Sequence, residues 1–225
     1  MTSTPTPVIT IDGPSGAGKG TIAQNVASDL GFNILDSGSL YRLTALASLN
    51  ADLDLSDESG IAEIALNLPV VFKPTSSGLQ VLLSGEDVSE AIRKEAIGMR
   101  ASKVAAIPAV RDALLSRQRD FSEAPGLVAD GRDMGTTIFP EAPLKVFMTA
   151  SAEERAERRF KQLKAKGISA NIAALVNDLK LRDEQDANRA VSPLKPAEDA
   201  VQIDTTEMGI DEVTQMVLEL AKQRI

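Results

Sequence analysis

Short apolar runs alternate with helix-spaced ones at the start of the chain. Val8 to Asp12 (VITID) is a β-branched run that reads as a strand. From Lys19, Ile22, Val26 and Leu30 recur on one face of a helix, and Gly31 is a natural stop because glycine accepts the left-handed backbone that closes one. Phe32 to Asp36 gives a second strand, followed by Ser37-Gly38-Ser39 and a helix through about Leu49. Strand, loop and helix repeated twice argue for a parallel sheet with crossover helices. The rhythm then changes. Leu68 to Phe72 and Leu79 to Leu83 are apolar runs divided by Lys73-Pro74-Thr75-Ser76-Ser77-Gly78, which reads as a hairpin inserted into the α/β chain.

Helical spacing returns from Val88 to Phe121, broken at Ile107-Pro108, where proline suits the first turn of a new helix. Leu127 to Asp130 is a third core strand and Leu144 to Ala150 a fourth. Ser151 and Glu154 predict a capping box that opens a charged helix, ERAERRFKQLKAKG. A helix over roughly Asn171 to Asp186 and a fifth strand, Ala200 to Asp204, follow. Val213, Met216, Val217 and Leu220 then predict an amphipathic closing helix. There is no internal repeat and no low-complexity tract.

Composition narrows the chemistry. A length of 225 residues with 43% hydrophobic positions suits one domain with insertions and a sizeable core. The chain has neither cysteine nor histidine. Thiolate nucleophiles, histidine bases and Cys- or His-ligated metals are therefore excluded, and any metal must be held by oxygen. The 24 basic against 32 acidic residues give a net charge of −8, unfavourable for non-specific binding to nucleic acid. No apolar stretch is long enough to span a bilayer, and Met1 to Pro7 has neither the basic nor the apolar region of a secretory signal. The expectation is a cytoplasmic protein with no membrane and no nucleic-acid partner, and nothing demands more than a monomer.

Gly13 to Lys19 fits GxxxxGK directly between a predicted strand and a predicted helix. In that setting Gly13, Pro14, Ser15, Gly16, Ala17, Gly18, Lys19, Gly20 and Thr21 would cradle the phosphates of ATP. Glycines let the backbone amides approach the phosphates, the helix start adds its positive end, and Lys19 reaches the terminal phosphates. The position after Lys19 is Gly20, so the usual metal-ligating hydroxyl is absent there, and Thr21 comes one residue later. The magnesium ligands are thus unknown from sequence. A guanine-reading NKxD is missing, because no asparagine precedes a lysine, and the formal DxxG at Asp57 to Gly60 has no strand before it. A switch GTPase is excluded on those grounds.

Arginines cluster near the ends of the predicted strands, where α/β sheets bind ligands. Arg42 follows the second strand, Arg132 the third, and Arg155, Arg158, Arg159, Arg182 and Arg189 lie in or near the two helices after the fourth. In an acidic chain this points to a second anionic ligand, although ERAERR alone is equally well explained by helix-surface ion pairs.

From VITIDGPSGAGKGT through LDSGSLYR, ASKVAAIPAVRDALL, LVADGRDMGT and RDEQDANRAVSPL, the chain resembles the bacterial cytidylate kinases over essentially its whole length. The resemblance implies one P-loop kinase domain over residues 1–225, with a five-stranded parallel sheet flanked by helices. It also implies a β-containing nucleotide-monophosphate insertion at 66–100 and a helical lid at 155–168. The implied reaction is phosphorylation of CMP and dCMP by ATP with Mg²⁺, in pyrimidine nucleotide metabolism. Ser37, Gly38, Arg42, Arg132 and Arg189 would then meet the CMP phosphate side. Ser102, Arg111 and Asp133 would read cytosine, and Arg182 and Asp186 would contact the ribose or bridging phosphates. Lys19, Arg132, Arg155, Arg158, Arg159 and Arg189 would be the catalytic cations. A P-loop kinase for UMP or AMP, and a regulatory protein that binds ATP without transferring it, are the competing readings.

Overall fold

In the computed structural model, which describes residues 6–75, 78–165 and 167–225, VITID forms β1 (Val8–Asp12), buried at every position. The first residues, Met1 to Pro5, the hairpin residues Ser76 and Ser77, and Lys166 of the implied lid lie outside the described residues. The glycine loop leads into α1 (Lys19–Leu30), which ends at Gly31 with φ 68° and its N–H on the carbonyls of Ala27 and Ser28. β2 (Asn33–Asp36) passes directly into α2 (Ser37–Asn50), because Asp36 caps the helix by accepting from the Ser39 N–H at 2.9 Å.

Next comes α3 (Glu58–Leu66), a helix that sequence spacing did not predict. Asp57 is its cap, with the carboxylate accepting from the Gly60 N–H at 2.9 Å, so the apparent DxxG is a helix start. β3 (Val70–Thr75), β4 (Gly78–Leu83) and the two-residue β5 (Glu86–Asp87) form a small antiparallel sheet. Thr75 pairs with Gly78, so the strands run further into the expected loop than apolar spacing indicated, and β5 was not foreseen. A single 3-10 turn, Ala91–Arg93, precedes α4 (Glu95–Val104), and α5 (Pro108–Asp120) begins on its proline as expected.

β6 (Leu127–Gly131) ends in DGRD and is followed by a short helical turn, Met134–Ile138. Beyond it come β7 (Leu144–Thr149), α6 (Ala152–Ala165), α7 (Ile172–Ala187), β8 (Val201–Asp204) and α8 (Ile210–Arg224). Only half of the predicted capping box forms. Ser151 Oγ accepts from the Glu154 N–H at 3.1 Å, but the Glu154 carboxylate binds Arg158, and the Ser151 N–H goes to Thr206. In α8 the buried face is Val213, Thr214, Val217, Leu218 and Ala221; Met216 is exposed and Leu220 only half-buried.

The main sheet has the order β2-β6-β1-β7-β8 and is parallel throughout. Its faces bury different helices. Ile9, Ile11, Val128, Leu144 and Val146 pack with Ile22 and Val26 of α1 and Val213 and Val217 of α8. Leu35, Leu127 and Ala129 pack with Leu40, Leu43, Val104 and Leu114 from α2, α4 and α5. Burial on both faces explains why the central strands β1, β6 and β7 read as near-continuous apolar runs, whereas the edge strands β2 and β8 are partly exposed. The chain runs from β1 out to β2 and later returns to place β6 between them, so the strand order reverses beside β1. In such sheets ligands bind beyond the carboxyl ends at this point. No helix among the described residues is long and apolar enough to cross a membrane.

Candidate active site

The carboxyl end of β1 opens into the glycine loop. Gly13 and Gly16 adopt φ 148° and 81°, and a Cβ on Gly13 would lie 2.1 Å from the carbonyl oxygen of Met148 on β7. Only glycine lets the loop pass there. Gly18, with φ 89°, precedes α1 without any side-chain cap, so the first amides of the helix face the loop. Lys19 is 5% exposed; its Nζ donates to the Pro14 carbonyl at 2.9 Å and lies 3.8 Å from Asp130 Oδ1. Burial, reinforced by Arg132, pushes the Lys19 ammonium down to about 8, against the opposing pull of Asp130, Asp12 and Asp36. Gly20 sits against Asp130: a Cβ there would lie 3.4 Å from Asp130 Oδ2, so a carboxylate faces the place from which a Ser or Thr hydroxyl would project.

Beyond the ends of β2 and β6 lies a cavity lined by all ten residues expected on the CMP side: Ser37, Gly38, Arg42, Ser102, Arg111, Arg132, Asp133, Arg182, Asp186 and Arg189. They come from α2, α4, α5, the turn after β6 and the end of α7, which explains why no single motif contains them. Five arginines against two aspartates make the cavity strongly cationic in an acidic chain.

Within it, Arg111 is buried, donates to Asp133 Oδ2 at 2.5 Å and lies over the ring of Tyr41, 5.8 Å from its centroid. Burial pushes the Tyr41 phenol up to about 12. The buried Asp186 accepts from Arg132 Nε at 2.9 Å on one oxygen and from Arg189 on the other. Arg182 Nε is buried with no hydrogen-bond partner among the described residues, and burial lowers the pKa of its guanidinium. Arg42 donates to the Ile92 carbonyl at 2.7 Å. The two serines have internal partners: Ser37 Oγ donates to Gln118 Oε1 at 2.6 Å, and Ser102 Oγ to the Gly98 carbonyl at 3.2 Å.

The three arginines of α6 differ sharply. Arg155, 3% exposed, donates to the carbonyls of Ala150 and Ser15 and grips both oxygens of Asp183 on α7. It braces the glycine loop from below. Arg158 pairs with Glu154 at 3.0 Å and donates to the Thr205 carbonyl. Arg159 is exposed and makes no hydrogen bond or ion pair among the described residues.

Sequence reasoning assigned no role to Asp12, Asp130, Gln118 or Asp183. Asp12 and Asp130 end or nearly end buried strands, and burial raises their carboxyls to about 7 and about 6. A polar residue closing an apolar strand was the available signal for both. Gln118 and Asp183 sit on helices whose spacing carried no such sign.

The geometry agrees with what similar sequences are. The family model described as cytidylate kinase matches residues 9–223. A cytidylate kinase from Stutzerimonas stutzeri (strain A1501) is 58% identical over 216 residues, covering 95% of this chain and 94% of that protein. One from Pseudomonas syringae pv. tomato is 58% identical over 214 residues, covering 94% and 93%. One from Saccharophagus degradans is 59% identical over 218 residues, covering 96% and 97%. With a glycine loop opening at the sheet's switch point, an arginine-lined cavity beside it and likeness on this scale along the chain, the protein belongs to the cytidylate kinase family.

Proposed function

We propose that this chain transfers the γ-phosphoryl group of ATP to CMP, with dCMP as a second acceptor, giving ADP and CDP or dCDP. One observation carries the reading: the cavity holding the ten acceptor-side residues adjoins the glycine loop, since Lys19 Nζ lies 3.8 Å from Asp130 and the residues that follow it, Gly131 to Asp133, line the cavity. Two phosphates bound in these two places meet between Lys19 and Arg132.

A phosphate oxygen of CMP attacks the γ-phosphorus in line, the bond from that phosphorus to the β-bridging oxygen breaks, and ADP leaves with the electron pair. The attacking oxygen is already ionised, so no general base is needed, in keeping with a chain without histidine. Catalysis rests on positioning and charge: Lys19 holds the transferring group, while Arg42, Arg132 and Arg189 hold the acceptor phosphate by their planar forks. Asp186 holds Arg132 and Arg189 in place of an anion until substrate phosphate competes for them. Arg158 and Arg159 of the 155–168 lid close over ATP, Arg155 fixes the loop beneath it, and residues 66–100 form the acceptor-side insertion.

Cytosine offers an amino group as donor and ring N3 and O2 as acceptors. The Asp133 carboxylate takes the amino group and Arg111 donates to the acceptors; uracil would set its O4 against the carboxylate, leaving two acceptors face to face. Ser102 contributes at the base edge, and Arg182 and Asp186 contact the ribose or the bridging phosphates.

No group of three or more acidic side chains among the described residues could hold a metal ion by itself. Oxygen donors are nevertheless at hand: Asp130 faces the Gly20 position, and Asp36 acts on the same Lys19. Mg²⁺ takes oxygen ligands, and Asp130, Asp36 and Thr21 are the oxygen groups here that would help hold it beside the phosphates. When bound, it neutralises charge on the β- and γ-phosphates. The test is to follow γ-labelled phosphate from Mg·ATP with CMP present. Label recovered in CDP supports the reading, and label recovered only as inorganic phosphate overturns it.

A further inference from the structure

The turn Met134–Ile138 has an unusual start. Asp133 occupies the position from which an aspartate ordinarily caps its own helix, yet its side chain makes no capping hydrogen bond. The carboxylate instead points to Arg111, 2.5 Å away, and is itself buried. Its second oxygen has no hydrogen bond among the described residues and remains available to a ligand.

The amides at the start of that turn do not go unpaired. Met134 N–H donates to Asp12 Oδ1 at 2.9 Å, and Gly135 N–H donates to Asp12 Oδ2 at 2.8 Å. Asp12 is the last residue of β1, more than a hundred positions away, and is 5% exposed. The turn is also held from behind. A Cβ on Gly135 would lie 2.9 Å from Thr10 Oγ1 and 3.2 Å from Lys145 Cδ, so the backbone rests directly on the neighbouring strands.

We infer that Asp12 is a positioning residue for acceptor specificity: by capping the 134–138 turn from the adjacent strand, it leaves the Asp133 carboxylate free to pair with Arg111 and face the acceptor's base. The inference rests on the reading of Asp133 as the cytosine-binding carboxylate. Without Asp12, the Gly135 amide is open to the Asp133 side chain, because an aspartate at the N-cap position ordinarily accepts from the amide two or three residues on. Asp133 then turns away from Arg111, and the pocket loses the group that distinguishes an amino from a carbonyl.

Burial holds the Asp12 carboxyl at about 7, with Asp133 adding to the rise and Lys19 and the two amides opposing it. Lys19 from α1 and Asp133 from the turn are the charged groups acting on it. Protonation below about pH 7 therefore weakens the cap. Asp130 and Lys19 titrate nearby, at about 6 and about 8, but they act on the phosphates that CMP and UMP share. Their effects on those phosphates cancel in a ratio of the two acceptors, and the pull of Lys19 on Asp12 only lowers the pH at which the cap weakens.

The experiment measures kcat/KM for CMP and UMP at saturating Mg·ATP in the wild type, Asp133→Ala, Asp12→Asn and the double variant, with circular-dichroism melts to establish folding. Asp133→Ala and Asp12→Asn should each lower the CMP/UMP ratio about tenfold, and the double variant should fall no further than Asp133→Ala, since both act through one carboxylate. An unchanged ratio in Asp133→Ala would refute the base-reading role and the inference with it. A lowered ratio in Asp133→Ala but a wild-type ratio in Asp12→Asn overturns the inference alone. So does an Asp12→Asn defect equal for both acceptors, or a double variant lower than either parent. If Asp12→Asn does not fold, the wild-type ratio between pH 8 and pH 6 decides: a drop of about threefold or more supports the inference, and a flat ratio overturns it.

Discussion

Lys19→Met removes the ammonium while keeping an unbranched side chain of similar length, so it separates what the charge does for catalysis from what it does to the fold. The Lys19 pKa of about 8, against 10.5 for an ordinary lysine, means that the fold disfavours its charged form by about 3 kcal/mol at neutral pH. That penalty is fully present below about pH 8 and is relieved as pH rises from there toward 10.5, because over that window the unfolded chain binds more protons than the folded one. Against its removal stands the lost hydrogen bond to the Pro14 carbonyl, about 1 kcal/mol. Asp130 also loses the cation that holds its carboxyl down, so its pKa rises above about 6 and it carries less charge at neutral pH. The balance at pH 7 is a variant between equal in stability and about 2 kcal/mol more stable, with a melting temperature up to about 6 °C higher. Turnover should nevertheless fall by about 10²–10³, the usual consequence of deleting one preorganised donor to a transferring group. Thermal melts at pH 7 and pH 9.5, run beside an ADP-release assay, check both halves, and the stability difference should shrink at the higher pH. A variant that melts more than about 5 °C below wild type at pH 7, or that keeps more than about a tenth of wild-type kcat, would refute the reasoning.

The same geometry sets other outcomes. Gly13→Ala should be inactive and destabilised by about 1–3 kcal/mol, because its methyl would strike the Met148 carbonyl; chemical denaturation measures this, and a wild-type midpoint would show that the loop has room. Asp130→Asn removes a carboxyl raised to about 6, whose burden on the fold is absent below its ordinary value of 3.8 and complete above about 6. Melts of that variant should therefore compare better with wild type at pH 7 than at pH 4, and the opposite trend would contradict the burial assigned to Asp130. Asp57→Ala should lose about 1 kcal/mol as a helix cap and leave turnover unchanged, whereas a lost activity would reopen a nucleotide role for that segment.

Much of the fold was readable because the main sheet is buried on both faces. The central strands β1, β6 and β7 are apolar runs ending near a turn residue, β2 and β8 at the edges are more mixed, and each of the five proved to be a strand within a residue or two of its expected limits. The elements that escaped are short or ambiguous. α3 is nine residues long and starts on an Asp-Glu-Ser-Gly sequence that also fits a nucleotide motif, and β5 has two residues and no pattern at all. For the site, residue types at strand ends and in the acceptor motifs led to one cavity. The connections that orient those residues were not readable, because they join distant parts of the chain. Asp12 binds amides more than a hundred residues away, Arg155 needs α6 packed on α7 to reach Asp183, and Ser37 meets Gln118 only across the α2–α5 contact. The capping box failed for a local reason: Arg158, one turn on, offers Glu154 a full charge where the Ser151 amide offers a dipole.

The central claim is that ATP and CMP are the two substrates. Its most direct test is ADP release from Mg·ATP measured separately with CMP, dCMP, UMP, AMP and shikimate. The account predicts fast turnover with CMP and dCMP, at least about tenfold less with UMP, and none above background with AMP or shikimate. Turnover with UMP or AMP equal to that with CMP would contradict the pairing of Asp133 and Arg111 with cytosine, and ADP release independent of any acceptor would contradict the transfer itself.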